Sequence, residues 1–342
     1  MSDKTQQLFN SEPITSFKGV TIDLDLLMEM RYQSIIPWIT PDSRVKTSRV
    51  GGFRSKFKGR GMDFDEVRLY QMGDDIRNID WKVTARTGNT HTKLFKEERE
   101  RPVFVILDQM PGMFFGTKQS FKAVVAAQIA AQLMWYALTN GDRFGALMFT
   151  QQNHIEMKPS NNRRNCMRLL NRIIENHQMQ LESIFDWQGK QTSDRTNQIK
   201  ASSTEKSKVN PLTETIKRIH YLAKPGSLIH LISDFNLLDE EGKQLLTKVS
   251  QHTDIHCIMI TDEIEQQLPP AGNYGISDGK QQSILQTSNL QFRNDYEQLF
   301  ALKKETVKRF ALNHKGVFTH VDTDYKSESI GQQLAASARR AR

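Results

Sequence analysis

Residues 102–108, PVFVILD, are an unbroken apolar run that ends in an aspartate. A strand buried on both faces of a parallel sheet reads this way, because neither side meets water. The chain after it repeats the theme. QSFKAVVAAQIAAQLMWYALTN (119–140) is apolar almost all round, which predicts a buried helix. DRFGALMFT (142–150) predicts a second strand, and NHIEMKP (153–159) alternates like an edge strand. RNCMRLLNRIIENH (164–177) has helical spacing, and the polar stretch 187–210 reads as an inserted loop. Pro211 then opens a helix that Gly226 closes. SLIHLISD (227–234) and DIHCIMITD (254–262) are strands around a helix at 237–252, and 273–287 reads as a hairpin about Asp278-Gly279. A helix at 292–314, a strand at 316–322 and a helix from about 326 finish the chain. Strands and helices that alternate so regularly predict an α/β fold, doubly wound, with a mostly parallel sheet and helices on both faces.

Upstream of Pro102 the texture differs. Residues 1–40 read as a polar arm followed by a helix over 23–35, with Asp23 as its N-cap. Residues 41–101 are dense in charge, and 102–342 form the α/β domain. The 342 residues carry 37% apolar and 25% charged side chains, the balance of a globular protein. Cys166 and Cys257 lie far apart and form no CxxC pair, which argues against a disulfide scaffold or structural zinc. No stretch approaches the ~20 apolar residues of a membrane span, and the N-terminus lacks the apolar core of a signal peptide. A cytoplasmic protein is expected. The net charge of +8 is concentrated at Arg44, Lys46, Arg49, Arg54, Lys56, Lys58 and Arg60, with no acid between them, and in the tail SARRAR. Such a patch can meet nucleic acid, anionic lipid or an acidic protein.

Asp108, Asp234 and Asp262 each end a predicted strand. In doubly wound sheets ligands sit beyond the carboxyl ends of the strands, where strand order reverses. Paired carboxylates there suit Mg²⁺ or Mn²⁺; the plainer account is that each aspartate caps the helix after it. Other chemistries find little support. PGMFFGTK (111–118) is no P-loop, because its glycines are one residue too close and Lys118 follows Thr117. There is no GxSxG elbow, and His252 and His256 straddle a helix end and a strand, so they share no helical face.

The charged segment carries a resemblance. Arg60-Gly61, Asp63-Phe64-Asp65-Glu66, Arg68-x-Tyr70, Gly73-Asp74-Asp75-x-Arg77-x-Ile79-Asp80-Trp81, Ala85-Arg86 and Lys93-x-Phe95-x-Glu97-Glu98 form a long, ordered signature. It resembles that of the DUF58 family, bacterial proteins whose C-terminal part is similar to a von Willebrand factor A domain. From the residues alone, the mixture suits a buried ion-pair network or a recognition surface. The resemblance implies a von Willebrand A-like sheet with the charged segment packed against it. It also implies a metal site of the form Asp-x-Ser-x-Ser plus a threonine and a further aspartate. Asp108 and Asp234 match the two aspartates, Met110 and Gly112 replace the serines, and Ser160 is the nearest candidate for the threonine. A thioether is a poor ligand for Mg²⁺ and glycine has no side-chain oxygen, so the expectation is no cofactor, or at most weakly held Mg²⁺.

Relatives of this kind are commonly encoded beside MoxR-type AAA+ ATPases. The resemblance therefore implies a non-enzymatic adaptor or chaperone-like partner of such an ATPase, in assembly or maturation of other proteins. Other von Willebrand A-domain proteins are further candidate partners. The surface around Asp108, Asp234 and Asp262 is the expected docking end. The rival readings are nucleic-acid binding through residues 44–60 and a metal-dependent enzyme built on the strand-end aspartates.

Overall fold

The computed structural model describes residues 19–33, 62–97, 101–151, 154–193, 210–277 and 282–324. The basic stretch 44–60, the turn at Asp278-Gly279, the helix expected from about 326 and the SARRAR tail lie outside them. The chain divides into two compact units, Val45–Glu100 and the remainder, each described here by itself.

In chain order the elements are α1 (Leu24–Gln33), β1 (Met62–Leu69), α2 (Trp81–Thr87), β2 (His91–Glu97), β3 (Pro102–Asp108), α3 (Lys122–Thr139), β4 (Arg143–Phe149) and β5 (His154–Ser160). There follow α4 (Arg163–Ser193), α5 (Pro211–Leu222), β6 (Leu228–Ser233), α6 (Glu240–Ser250), β7 (Asp254–Thr261) and α7 (Glu263–Gln266). The series ends with β8 (Asn273–Ser277), β9 (Gln282–Gln286), α8 (Leu290–Asn313) and β10 (Val317–Asp322).

The larger unit is built on a six-stranded sheet of order β10-β7-β6-β3-β4-β5, in which only β5 runs antiparallel. Counted along the chain from β3, that order is 3-2-1-4-5-6. The strand order reverses between β3 and β6. This is the doubly wound, von Willebrand A-like sheet that the resemblance implied. Pro159 sits in the edge strand β5, where its pairing with β4 slips between Phe144 and Ala146.

Successive residues of β3 point to opposite faces. Val103, Val105 and Leu107 join the core formed with α3, α4 and α1. Phe104 and Ile106 join the core formed with α5, α6 and α8. Helix α1 therefore belongs to the sheet unit: Leu27 and Met30 are buried, and Trp135 Nε1 donates to the Leu27 carbonyl at 3.0 Å. One boundary differs from expectation. Helix α4 continues to Ser193, into the stretch read as a loop from 187. Residues 178–193 contain no proline to stop it, and the single Gly189 costs only about 1 kcal/mol, so the helix propagates through it.

Inside the sheet lies a pair of buried histidines on β6 and β7. His230 Nδ1 and His256 Nδ1 are 3.1 Å apart, and His256 Nε2 is 2.9 Å from Thr319 Oγ1. Desolvation pushes His256 down to about 3 and His230 well below its ordinary value, so both are neutral.

In the smaller unit, β1 and β2 pair antiparallel, with a bulge between Phe64 and Glu66. The acids of the connection do local backbone work. Asp75 accepts from the Arg77 N–H in the 3₁₀ turn Ile76–Asn78, and Asp80 N-caps α2 by accepting from the Lys82 and Val83 N–H groups. Gly88, at φ 73°, ends α2 in the left-handed region that glycine enters without strain. Part of the expected ion-pair network, at Arg60, Asp63, Asp65 and Glu66, falls on side chains outside those described; the part that is described is not buried. Arg68 pairs with Asp74 at 2.7 Å, but both stay partly exposed, as do Asp80 and Lys93 at 3.7 Å. Arg77, Trp81 and Arg86 are exposed, Tyr70 is half-buried, and Thr92 alone is buried among the side chains described in residues 67–93. Two short strands cannot enclose a core, so the charges remain at the surface.

Candidate functional site

The register of the sheet brings the predicted aspartates to one end. Asp108 pairs with Phe149 across β4 and follows Leu107, the partner of Ile232 on β6. Its Oδ1 accepts the Met110 N–H at 2.9 Å, and its Oδ2 accepts from Ser233 Oγ at 2.6 Å. Ser233 Oγ in turn accepts the Phe235 N–H at 2.9 Å. That bond and the burial of the Phe235 ring hold Phe235 at φ 58°, a left-handed backbone costly for a residue with a Cβ. The chain thereby bends sharply and turns Asp234 toward α3.

Asp234 meets a cation that belongs to the protein. Lys122 Nζ lies 3.0 Å from Asp234 Oδ2 and 2.7 Å from Glu265 Oε1, with the lysine side chain 1% exposed. Asp234 also accepts from the Asn236 N–H at 3.0 Å and from Asn236 Nδ2 at 2.8 Å. Lys122 is the first residue of α3, whose first turn has no acid and whose cap residue Phe121 makes no side-chain cap bond. A cation is disfavoured there by the positive end of the helix dipole. The carboxylates from beyond β6 and β7 supply the compensation that the helix itself lacks.

Asp262 joins through Glu265. The Asp262 N–H donates to Glu265 Oε2 at 2.9 Å, and the Asp262 carboxylate accepts from the Ile264 N–H at 3.2 Å, a capping box for α7. Thr117 donates to it from N–H at 2.9 Å and from Oγ1 at 2.6 Å, and Thr323 Oγ1 at 2.6 Å. The capping account therefore holds for Asp262, which also ties down the loop before α3. Asp108 and Asp234 cap no helix.

The charges follow from these contacts. Burial, helped by the neighbouring Asp234 charge, raises Asp108 to about 7 despite its hydrogen bonds. Burial also opposes the charge on Asp234, but Lys122 overrides it and holds that carboxyl below its ordinary value. Lys122 is likewise opposed by burial and is held above the ordinary lysine value by Asp234 and Glu265. Asp262 stays below its usual range because the bonds from Thr117 and Thr323 outweigh its burial.

All three aspartates are buried, so a partner at this end would touch the residues around them rather than their oxygens. The metal site of the resemblance does not fit. Met110 stands at the first serine position and bears no hard donor. A Cβ on Gly112 would come within 3.6 Å of Asp234 Oδ2, so the second serine position faces the site but carries no oxygen. Ser160, the candidate for the threonine, pairs with Phe144 at the opposite end of β4 from Phe149. Five residues of strand place it roughly 16 Å away. Above all, an ammonium already lies against the Asp234 carboxylate. Among the described residues no three His, Cys, Asp or Glu side chains are grouped so as to hold a metal ion. Lys122, Glu265 and Ser233 escaped sequence reading, although a lone lysine opening an apolar helix was a visible anomaly.

The sheet is von Willebrand A-like in its order and direction, and a lysine of the chain itself answers its strand-end Asp234. The chain belongs to the DUF58 family: the family described as "Protein of unknown function DUF58" matches residues 66–306. The uncharacterized protein Rv1480 of Mycobacterium tuberculosis H37Rv is 38% identical over 90 residues, 26% of this chain and 28% of that protein. The uncharacterized protein YeaD of Bacillus subtilis is 29% identical over 89 residues, 26% of this chain and 20% of that one. The matches thus span less than a third of these relatives' length. Among solved structures, the conserved hypothetical protein BatB of Bacteroides thetaiotaomicron aligns at 13% identity and a TM-score of 0.38, over 70% of this chain and 99% of that one. No helix among the described residues is long and apolar enough to cross a membrane.

Proposed function

We propose that this protein is a non-enzymatic interaction adaptor, a chaperone-like partner of a MoxR-type AAA+ ATPase in assembly or maturation of other proteins. The observation that carries the non-enzymatic reading is the commitment of the strand-end oxygens. Asp108, Asp234 and Asp262 accept from Met110, Ser233, Lys122, Asn236, Thr117, Thr323 and Ile264, which leaves none of these three carboxylates poised for substrate. Exposed apolar side chains give a partner something to bind: Leu69, Met72, Ile76 and Trp81 in the smaller unit, and Phe115 in the loop after β3. The partner class comes from the family resemblance and from no contact in the fold.

The test is affinity capture with the full chain from the lysate of its own organism, in Mg²⁺ and in EDTA. Recovery of a MoxR-type ATPase is the expected result. Nuclease-sensitive material without an ATPase would overturn the adaptor reading in favour of the basic stretch 44–60. The ATPase has its own need for Mg²⁺ and ATP. Metal dependence is therefore assigned to this chain only if Asp108→Asn abolishes the capture too.

A further inference from the structure

Lys122 is buried as completely as the leucines and valines around it, yet it carries a charge. A buried ammonium is tolerated only where carboxylates and hydrogen bonds replace the water it has lost. Here they come from two separate stretches of chain, Asp234 after β6 and Glu265 in α7, and the lysine itself comes from α3. One positive charge thus joins three segments at the point where strand order reverses. A bound divalent ion does the same work in a site of this shape, drawing carboxylates from different strand ends onto one centre. The difference is that the ammonium is tethered. It cannot dissociate, and it repels a second cation brought within a few ångströms of it. Lys122 alone touches both carboxylates: Lys303 stands behind it, bonds Asn236 Oδ1 and acts on Asp234 and Glu265 only through space, and Lys118 pairs with Glu263 and Asp324.

We propose that Lys122 is the resident cation of this site, a tethered ammonium that takes the place of a metal ion between Asp234 and Glu265. It keeps the strand-end loops assembled without one. The inference stands whether or not the docking partner is an ATPase.

Thermal unfolding of the full chain in EDTA, Mg²⁺ and Mn²⁺, with electron paramagnetic resonance of added Mn²⁺, tests it. The wild type is expected to melt at the same temperature in all three and to leave Mn²⁺ unbound. Lys122→Met, similar in length but uncharged, should lower Tm by roughly 10 °C. Lys122→Ala, which empties the space between the carboxylates, should gain Mn²⁺ binding and a Tm that rises with Mn²⁺. Asp234→Asn in the same chain should abolish both. The proposal is overturned if the wild type binds Mn²⁺ with a Tm rise that Asp108→Asn or Asp234→Asn removes. It is overturned equally if Lys122→Met is as stable as the wild type, or if folded Lys122→Ala ignores Mn²⁺. Should Lys122→Ala fail to fold, the Lys122→Met/Asp234→Asn pair decides. Removing both charges must cost less than the sum of the two single losses, and strict additivity would sink the idea.

Discussion

The strand-end site and the signature segment 62–97 are both rich in aspartate, but they use it in opposite ways. At the strand ends Asp108, Asp234 and Asp262 are buried, and a buried ammonium answers Asp234. In the signature segment Asp74, Asp75 and Asp80 accept backbone N–H groups of their own turns at the surface. The sequence shows the same residue type in both; the cost of losing it differs because desolvation differs. A charge in water has an alternative partner, and a charge under a sheet has none.

The largest expected effect is at Asp234. Asp234→Ala leaves Lys122 buried with only Glu265 beside it and should destabilise the sheet unit by about 3–5 kcal/mol in denaturant unfolding. A loss no larger than that of a surface acid would mean that the ammonium has water the fold does not show.

Next in size is acid sensitivity from the histidine pair. His256 titrates at about 3 in the fold and near its ordinary 6.5 when unfolded. Between those values the unfolded chain binds the extra proton, so the stability from neutral His256 is full above about 6.5 and falls as pH drops toward 3. His256→Gln should flatten the pH dependence of the unfolding free energy below 6.5. An unchanged slope would place the acid-sensitive groups elsewhere.

Asp108 has the opposite sign. Its folded value of about 7 lies above the ordinary 3.8, so the folded chain holds the proton longer, and stability falls as pH rises from about 4 to about 7. Asp108→Asn should remove that decline and gain on the wild type as pH rises through the window. A constant offset between the two would mean that the carboxyl is ionised throughout.

The smallest effect belongs to the surface acid. Asp80→Ala removes the N-cap of α2 and should speed hydrogen exchange in its first turn, while the Tm of the sheet unit stays where it was. A fall in that Tm would show that this cap supports more than its own helix.

Much of the fold was legible because burial writes itself into apolar periodicity. PVFVILD reads as a doubly buried strand, and Val103 and Phe104 do reach opposite cores. The edge strand β5 was legible in its alternation. The reach of α4 was not, since a polar sequence with a glycine, such as 188–193, looks like a loop until the helix before it anchors it. At the strand ends Asp108 and Asp234 were found because strand termini are predictable. Their partners were not, because Lys122 lies 112 residues from Asp234 and 143 from Glu265.

The amino-acid order alone set the alternation of strands and helices and the strand-end positions of three aspartates. The tertiary structure alone decided what answers those carboxylates. Hydrophobic patterning is a local record of which side of an element is dry, so it survives in the order of residues. Charge compensation depends on which distant segments the sheet topology brings together, and the strand order β10-β7-β6-β3-β4-β5 is what sets Lys122 beside Asp234 and Glu265.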